Sequence, residues 1–402
     1  MYFYIILKKR YVYKGGETMI DLIKFELYKI FSKKLVLIMI LLTVLFAGIN
    51  VYANVSPKHT GFSSIKEVKK ILEPYEGRVI TEEETNMIST KIEEIHKKGL
   101  RGETFSKEEN IYYYHLRDYM VQMNPSYTVN GEKYKLDEMK DEIKRLEKDG
   151  KTDSFEYKNL EYIHNILSKK ETPKFYYKMP WNLTADFNVI ATLTSTLVAI
   201  GIATIFSEDY QRKSSSIVLS SKNGKTKLVT SKLLAGAIYT LITFVLINGI
   251  YLINAASIGF KGGNLPLNFF QSYERTPFNI TMNEFYIKAL AISLIGLLLY
   301  SILIMFISLI LKNNMLSLLL GLGVYYVPGY ISNFISSEKI LKLLGAINIS
   351  EAIRVQWMFR DTITYNILGE PVLYLTVLTT VVIIAIPITL CAIKYFGKRQ
   401  EV

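Results

Sequence analysis

The sequence predicts an all-α polytopic membrane protein with six transmembrane helices, an amphipathic N-terminal interfacial helix and a large helical extracellular insertion between the first and second spans. Three observations predict it. Half of the 402 residues are hydrophobic and the mean hydropathy is +0.19, which is too apolar for a typical soluble chain. The apolar residues gather in six runs, each near the ~20 residues that cross a bilayer as a helix. Lys and Arg flank these runs so that the basic clusters fall on one side if all six cross. The net charge of +12 is therefore explained by topology and not by nucleic-acid binding. The single Cys391 lies inside the last apolar run, which excludes a disulfide framework and a cysteine-based metal site.

Taken in order, residues 1–18 read as a mis-annotated leader. Tyr2 to Leu7 is a short apolar run with no cleavage site after it. Lys14-Gly15-Gly16-Glu17-Thr18 is what a purine-rich ribosome-binding stretch would encode, so translation is expected to begin at Met19. In residues 19–34, Ile20, Ile23, Leu27 and Ile30 recur at helical spacing while Asp21, Lys24, Lys29 and Lys33 face largely elsewhere. That pattern suits a helix lying in the membrane interface; periodicity leaves a cytosolic extension of the first span equally open.

The six spans are 35–52, 183–206, 233–258, 289–311, 315–335 and 372–395. Lys33 and Lys34 precede the first, Lys312 separates the fourth from the fifth, and Lys394, Lys398 and Arg399 close the last. Both termini are then cytoplasmic in a bacterial cell membrane. Pro328 and Gly329 interrupt the fifth span, which a membrane helix tolerates where neighbours satisfy the freed carbonyl.

The insertion, residues 53–182, reads as helical. Thr81-x-x-Glu84 and Ser106-x-x-Glu109 match the capping box. Leu136, Met139, Ile143 and Leu146 follow a 3-4-3 spacing that stops at Gly150 and resumes with Phe155, Tyr162 and Ile166, describing a helical hairpin with one apolar seam. Tyr112, Tyr113 and Tyr114 read as core packing with an interfacial ring, ahead of a face for peptide or lipid. Phe175, Tyr176, Tyr177 and Trp181 resemble an interfacial aromatic belt. Residues 259–288 are punctuated by Gly and Pro and read as loop. In 336–371, Ile349, Ile353 and Trp357 recur every fourth residue, as in a short amphipathic helix that either connects the spans or re-enters the membrane.

Catalytic chemistry is not written in this chain. His59, His96, His115 and His164 lie far apart without ligand spacing, and no Gly-x-Ser-x-Gly elbow occurs. Asn223-Gly224-Lys225-Thr226 resembles the end of a phosphate-binding loop, but Leu219 stands where its first glycine belongs. Inside the spans the strong polar groups are Asn50, Asn248 and Asn254, with Asp186 at an edge. A path without ionisable residues argues against ion coupling and suits an amphipathic cargo driven by an external motor.

The remaining feature is the polar loop 207–232, with Glu208 and Asp209 at the exit of the second span, Arg212 and Lys213 next, and Lys232 at the opening of the third. Its Ile217, Val218 and Leu219 follow the small residues Ser214–Ser216. An interfacial helix, six spans, a large insertion after the first and this loop together resemble the ATP-binding-cassette type-2 permease family. Gln211 and Arg212 stand where that family often has a glycine. The resemblance implies a permease subunit, not itself an enzyme, without a cofactor of its own, ATP being held by a separate ATPase partner. It implies a homodimer or heterodimer of permeases exporting a peptide, drug or lipid. Glu208, Arg212, Ile217, Val218 and Leu219 would contact the ATPase, and Lys232 would anchor the third helix. Two other classes stay open: a membrane-bound peptide sensor or immunity protein without transport, and a lipid-modifying enzyme, for which Glu351 and Asp361 are the best acids available.

Overall fold

Backbone amides inside hydrocarbon have only their own carbonyls to bond, so long apolar runs fold as helices. The computed structural model describes residues 18–55, 70, 72–79, 81–113, 130–171, 174–176, 181, 184, 187–211, 226–258, 262–270 and 273–398. Its main elements are α1 (Met19–Phe31), α2 (Lys34–Val55), α3 (Glu82–Leu100), α4 (Lys107–Ile111), α5 (Asn130–Lys148), α6 (Phe155–Leu167), α7 (Phe187–Ile202) and α8 (Ser207–Gln211). They continue with α9 (Lys227–Ile258), α10 (Met282–Leu311), α11 (Asn314–Ile331), α12 (Glu338–Ile347), α13 (Ile349–Arg354), α14 (Gln356–Arg360), β1 (Thr364–Ile367), β2 (Glu370–Leu373) and α15 (Tyr374–Lys398). Helices α2, α7 with α8, α9, α10, α11 and α15 supply six apolar segments if the bent pair α1–α2 counts as one.

Helix α1 turns 70° from α2. Thr18 caps it: its hydroxyl accepts the Asp21 amide and donates to the Asp21 carboxylate at 2.7 Å. Residues 1–17, and with them most of the expected leader, lie outside the described residues. Helix α10 begins seven residues earlier than the sequence suggested, because Thr281 and Glu284 form a capping box that starts it at Met282. Of the expected loop 259–288, the described residues before Met282 are loop apart from one 3₁₀ turn at Leu267–Phe269, and the rest is helix. Pro328 stays inside α11 without ending it.

Close helix approach is made by small residues. At Gly201 of α7 an added Cβ would sit 2.3 Å from the ring of Tyr239 on α9. That tyrosine is fully buried and donates to the Leu197 carbonyl at 3.0 Å. Gly201→Ala is expected to push the two helices apart and destabilise the bundle by about 1–3 kcal/mol, the range for overpacking a filled core; thermal unfolding of the detergent-purified chain measures it.

The segment 336–371 is more broken than its period suggested. Val355 adopts φ +59°, which a β-branched residue rarely does, and this kink separates α13 from α14. Ile349 and Ile353 are buried, whereas Trp357, beyond the kink, turns outward. Helix α13 packs deep against α10: Ser293 donates to the Ile353 carbonyl at 2.7 Å, and a Cβ on Gly296 would meet Ala352 at 3.0 Å. Ser293 lies eleven residues into α10, about 16 Å along it at about 1.5 Å per residue. The segment thus re-enters the bundle. It leaves through an antiparallel hairpin, β1 on β2, which leads straight into α15.

The insertion contains both expected capping boxes, Thr81 with Glu84 and Ser106 with Glu109. The Ser106 amide and the Lys98 ammonium hold the Glu109 carboxyl at about 2, well below the usual carboxylate range. Helices α5 and α6 form the hairpin, with Gly150 at φ +67° in its turn. Tyr113 stacks on His96 and tilts against Phe105, and Lys91 lies over Tyr112; Tyr114 is outside the described residues. Lys158 pairs with Glu370 and Thr364 bonds Asn159, so the hairpin rests on β1 and β2. Lys170 donates to the Phe278 carbonyl at 2.7 Å, and burial pulls its ammonium down to about 8.

Candidate functional site

At the end of the bundle where α1, α7, α8 and α9 meet, six ionisable side chains converge. Residues 203–206 interrupt the helix between α7 and α8, which leaves backbone groups that need partners from elsewhere. Ser308 of α10 accepts from the Phe206 and Ser207 amides at 3.3 and 3.1 Å. Ser207 in turn donates to the Asn314 side chain of α11 at 2.6 Å. On the other side, Lys232 of α9 donates to the Ile205 carbonyl and lies over the Phe206 ring.

The same ammonium sits 3.2 Å from Glu26 of α1 and 2.9 Å from Asp209 of α8. Lys29 reaches those two carboxylates as well, at 3.3 and 3.0 Å. Lys29, Glu26, Lys232 and Asp209 thus close a ring of alternating charge. Beside it Lys33, at the elbow between α1 and α2, pairs with Glu208 at 2.7 Å and bonds the Thr204 hydroxyl. Three cations meet three anions, so the cluster is neutral. Glu26 and Lys232 are each only 1% exposed and Glu208 only 7%. Ions that deep are stable only when fully paired. Here the pairing joins α1 to α8 and α9.

Of the residues singled out from sequence, Glu208 and Lys232 therefore lie in one cluster, bridged through α1 and Asp209. Arg212, Ile217, Val218 and Leu219 lie outside the described residues. Lys232 does not open its helix; α9 starts five residues earlier at Lys227. Glu26 was not foreseen, and the sequence placed Lys29 and Lys33 only on a face away from the apolar stripe. One signal could have found them: Glu26, Lys29 and Lys33 are spaced three and four apart, which lines them on a single face of a helix.

The sequence model of a family described as "ABC-2 family transporter protein" matches residues 20–399, nearly the whole chain. This protein belongs to the ABC-2 transporter family. No curated protein matches it at a significant level. As an ABC-2 permease it is a multi-pass membrane subunit of a transporter, and the family places catalysis outside such subunits. The charge cluster then has a clear location within an ABC-2 protein: it lies between the end of α7–α8 and the start of α9, the two elements that flank residues 212–225.

Proposed function

We propose that this permease is the membrane subunit of a bacterial ATP-driven exporter, moving an amphipathic cargo (peptide, drug or lipid) outward with a separately encoded ATPase. The loop 212–225 and the charge cluster form its cytoplasmic face, with both termini on that side. Lys33, Lys232 and Lys312 all gather at this end, Lys312 over the ring of Tyr210, which supports the orientation because basic residues remain cytoplasmic. Two permeases, identical or homologous, complete the pathway. Neither metal nor cofactor belongs to this chain.

One observation carries the reading. The short stretch Phe206–Asp209, directly before the loop, bonds to α1, α9, α10 and α11 at once. A push on Ile217–Leu219 by an ATPase closing on ATP is handed through α8 to four helices as a unit. In this scheme Glu208 acts from within, through Lys33, and the ATPase contacts are Arg212 and Ile217–Leu219. Affinity purification of the tagged chain in mild detergent tests it. A nucleotide-binding subunit is expected to co-purify, and to be lost when Ile217–Leu219 are replaced by Ser while the chain stays monodisperse. A well-folded chain with no ATPase would instead support a peptide sensor built on the insertion.

A further inference from the structure

We propose that Arg354 is a binding site for the anionic head of a lipid-tailed amphiphile, a phosphate or carboxylate held below the outer ends of the helices. The residue sits at the end of α13, inside the bundle. Its guanidinium stacks 5.4 Å from the ring centre of Tyr325, and its Nε meets the Tyr325 hydroxyl at 3.4 Å. Tyr325 lies eleven residues along α11 from Asn314 and six before Ile331. At about 1.5 Å per residue the hydroxyl is about 9 Å short of the end of that helix. This is the depth of acyl chains rather than of bulk water.

An arginine offers five N–H donors in a flat fork that matches phosphate and carboxylate. Apart from the Tyr325 contact, its donors meet no protein acceptor among the described residues. No carboxylate of a described residue comes within the 4.0 Å of an ion pair. Glu351, one turn earlier, feels the Arg354 charge as well as lying near the Tyr365 and Tyr374 hydroxyls, but it makes no hydrogen bond or close ion pair with the guanidinium. An intramembrane cation whose nearest acid stands off keeps its N–H donors for another anion.

The surroundings extend the site along the wall of the bundle. The Tyr325 hydroxyl also lies 3.3 Å from Thr192 of α7, and Thr196, one turn on, meets the Tyr326 hydroxyl at 2.7 Å. Tyr326 and Val327 are exposed, and the space above Gly329 opens to the guanidinium. A polar track on an apolar face, with a cation at one end, accepts a head group and lets its tail lie along α11. Outer-facing phospholipid and a single-chain cargo share this chemistry.

Brominated-lipid quenching distinguishes the possibilities without any ATP hydrolysis, so its outcome is independent of the exporter reading. Trp357 is 42% exposed three residues from Arg354, whereas Trp181 is 4% exposed behind Phe270 and Tyr286. Quenching of the full-length chain in phosphatidylcholine bilayers thus reports mainly on Trp357, whose ring also lies under the Arg360 guanidinium, so the Arg354 variants are what assign it to the site. Dibromo-phosphatidylglycerol is expected to quench at a mole fraction about tenfold lower than dibromo-phosphatidylcholine, as a charge-assisted contact predicts. Arg354→Gln should abolish that preference, Arg354→Lys should keep part of it, and Tyr325→Phe, which leaves the cation but frees its Nε, should weaken it. Added dodecyl phosphate that relieves the quenching identifies a site open to single-chain amphiphiles; if it does not, the head group belongs to resident lipid. Equal quenching by the two lipids in the wild-type chain, or an undiminished preference in Arg354→Gln, overturns the proposal.

Discussion

Lys232→Met is expected to remove most of the folded protein. The substitution keeps a long side chain in the same slot but deletes the ammonium that faces Glu26 and Asp209. Glu26 is 1% exposed, so its charge would keep only Lys29 as a partner, and Lys29 would have to serve two carboxylates alone. Breaking a buried pair by removing one member costs about 3–5 kcal/mol, a large share of the ~5–15 kcal/mol that holds a typical protein folded. The Ile205 carbonyl loses its donor too. Removing both sides should hurt less than removing one. Lys232→Met with Glu26→Gln leaves Lys29 on Asp209 as a simple pair, and is expected to recover part of the loss. Size-exclusion thermal melts of a fluorescent fusion read both variants. A double variant as unstable as the single one would mean that the cost lies in packing around the ammonium rather than in the stranded charge.

How the chain is organised was legible because hydrophobic runs and basic flanks report the membrane without needing tertiary information. Helix starts were legible wherever a capping box was noticed, as at Thr81 and Ser106, and misplaced where one was overlooked, as at Thr281. The site was half legible. Glu208 and Lys232 stood out as charges beside apolar runs, but their partners sit 175 and 206 positions away along the chain, in Lys33 and Glu26. Nothing local says that an amphipathic helix hides its acid against a third span. The re-entry of α13 was one of two readings left open, and nothing local could choose it. Its depth is set by Gly296 and Ser293 on another helix, and its kink by a valine in a conformation that no propensity favours. Periodicity assumes one continuous helix, and so it aligned Trp357 with a buried face from which the chain had already turned.

The second large effect concerns coupling rather than folding. Glu208→Gln keeps the shape of the side chain and is expected to leave the ATPase bound while lowering the cargo-linked or basal ATPase rate of the reconstituted complex about tenfold, within the 5–150-fold span of typical coupling free energies. The reason is the position of the carboxylate. It faces Lys33 at the elbow of α1 and α2 at 2.7 Å, so this contact links α8 directly to the start of the first span. Lys33→Gln should give the same phenotype from the other side, and the two changes together should cost little more than either one, because they remove a single interaction. Exchanging the charges, Lys33→Glu with Glu208→Lys, is the sharper trial: the pair is reconstituted in reverse beside a neutral ring, and activity is expected to return in part. An acid that touched the ATPase directly would behave differently. Its replacement would release the nucleotide-binding subunit during purification, and no change at Lys33 would bring it back.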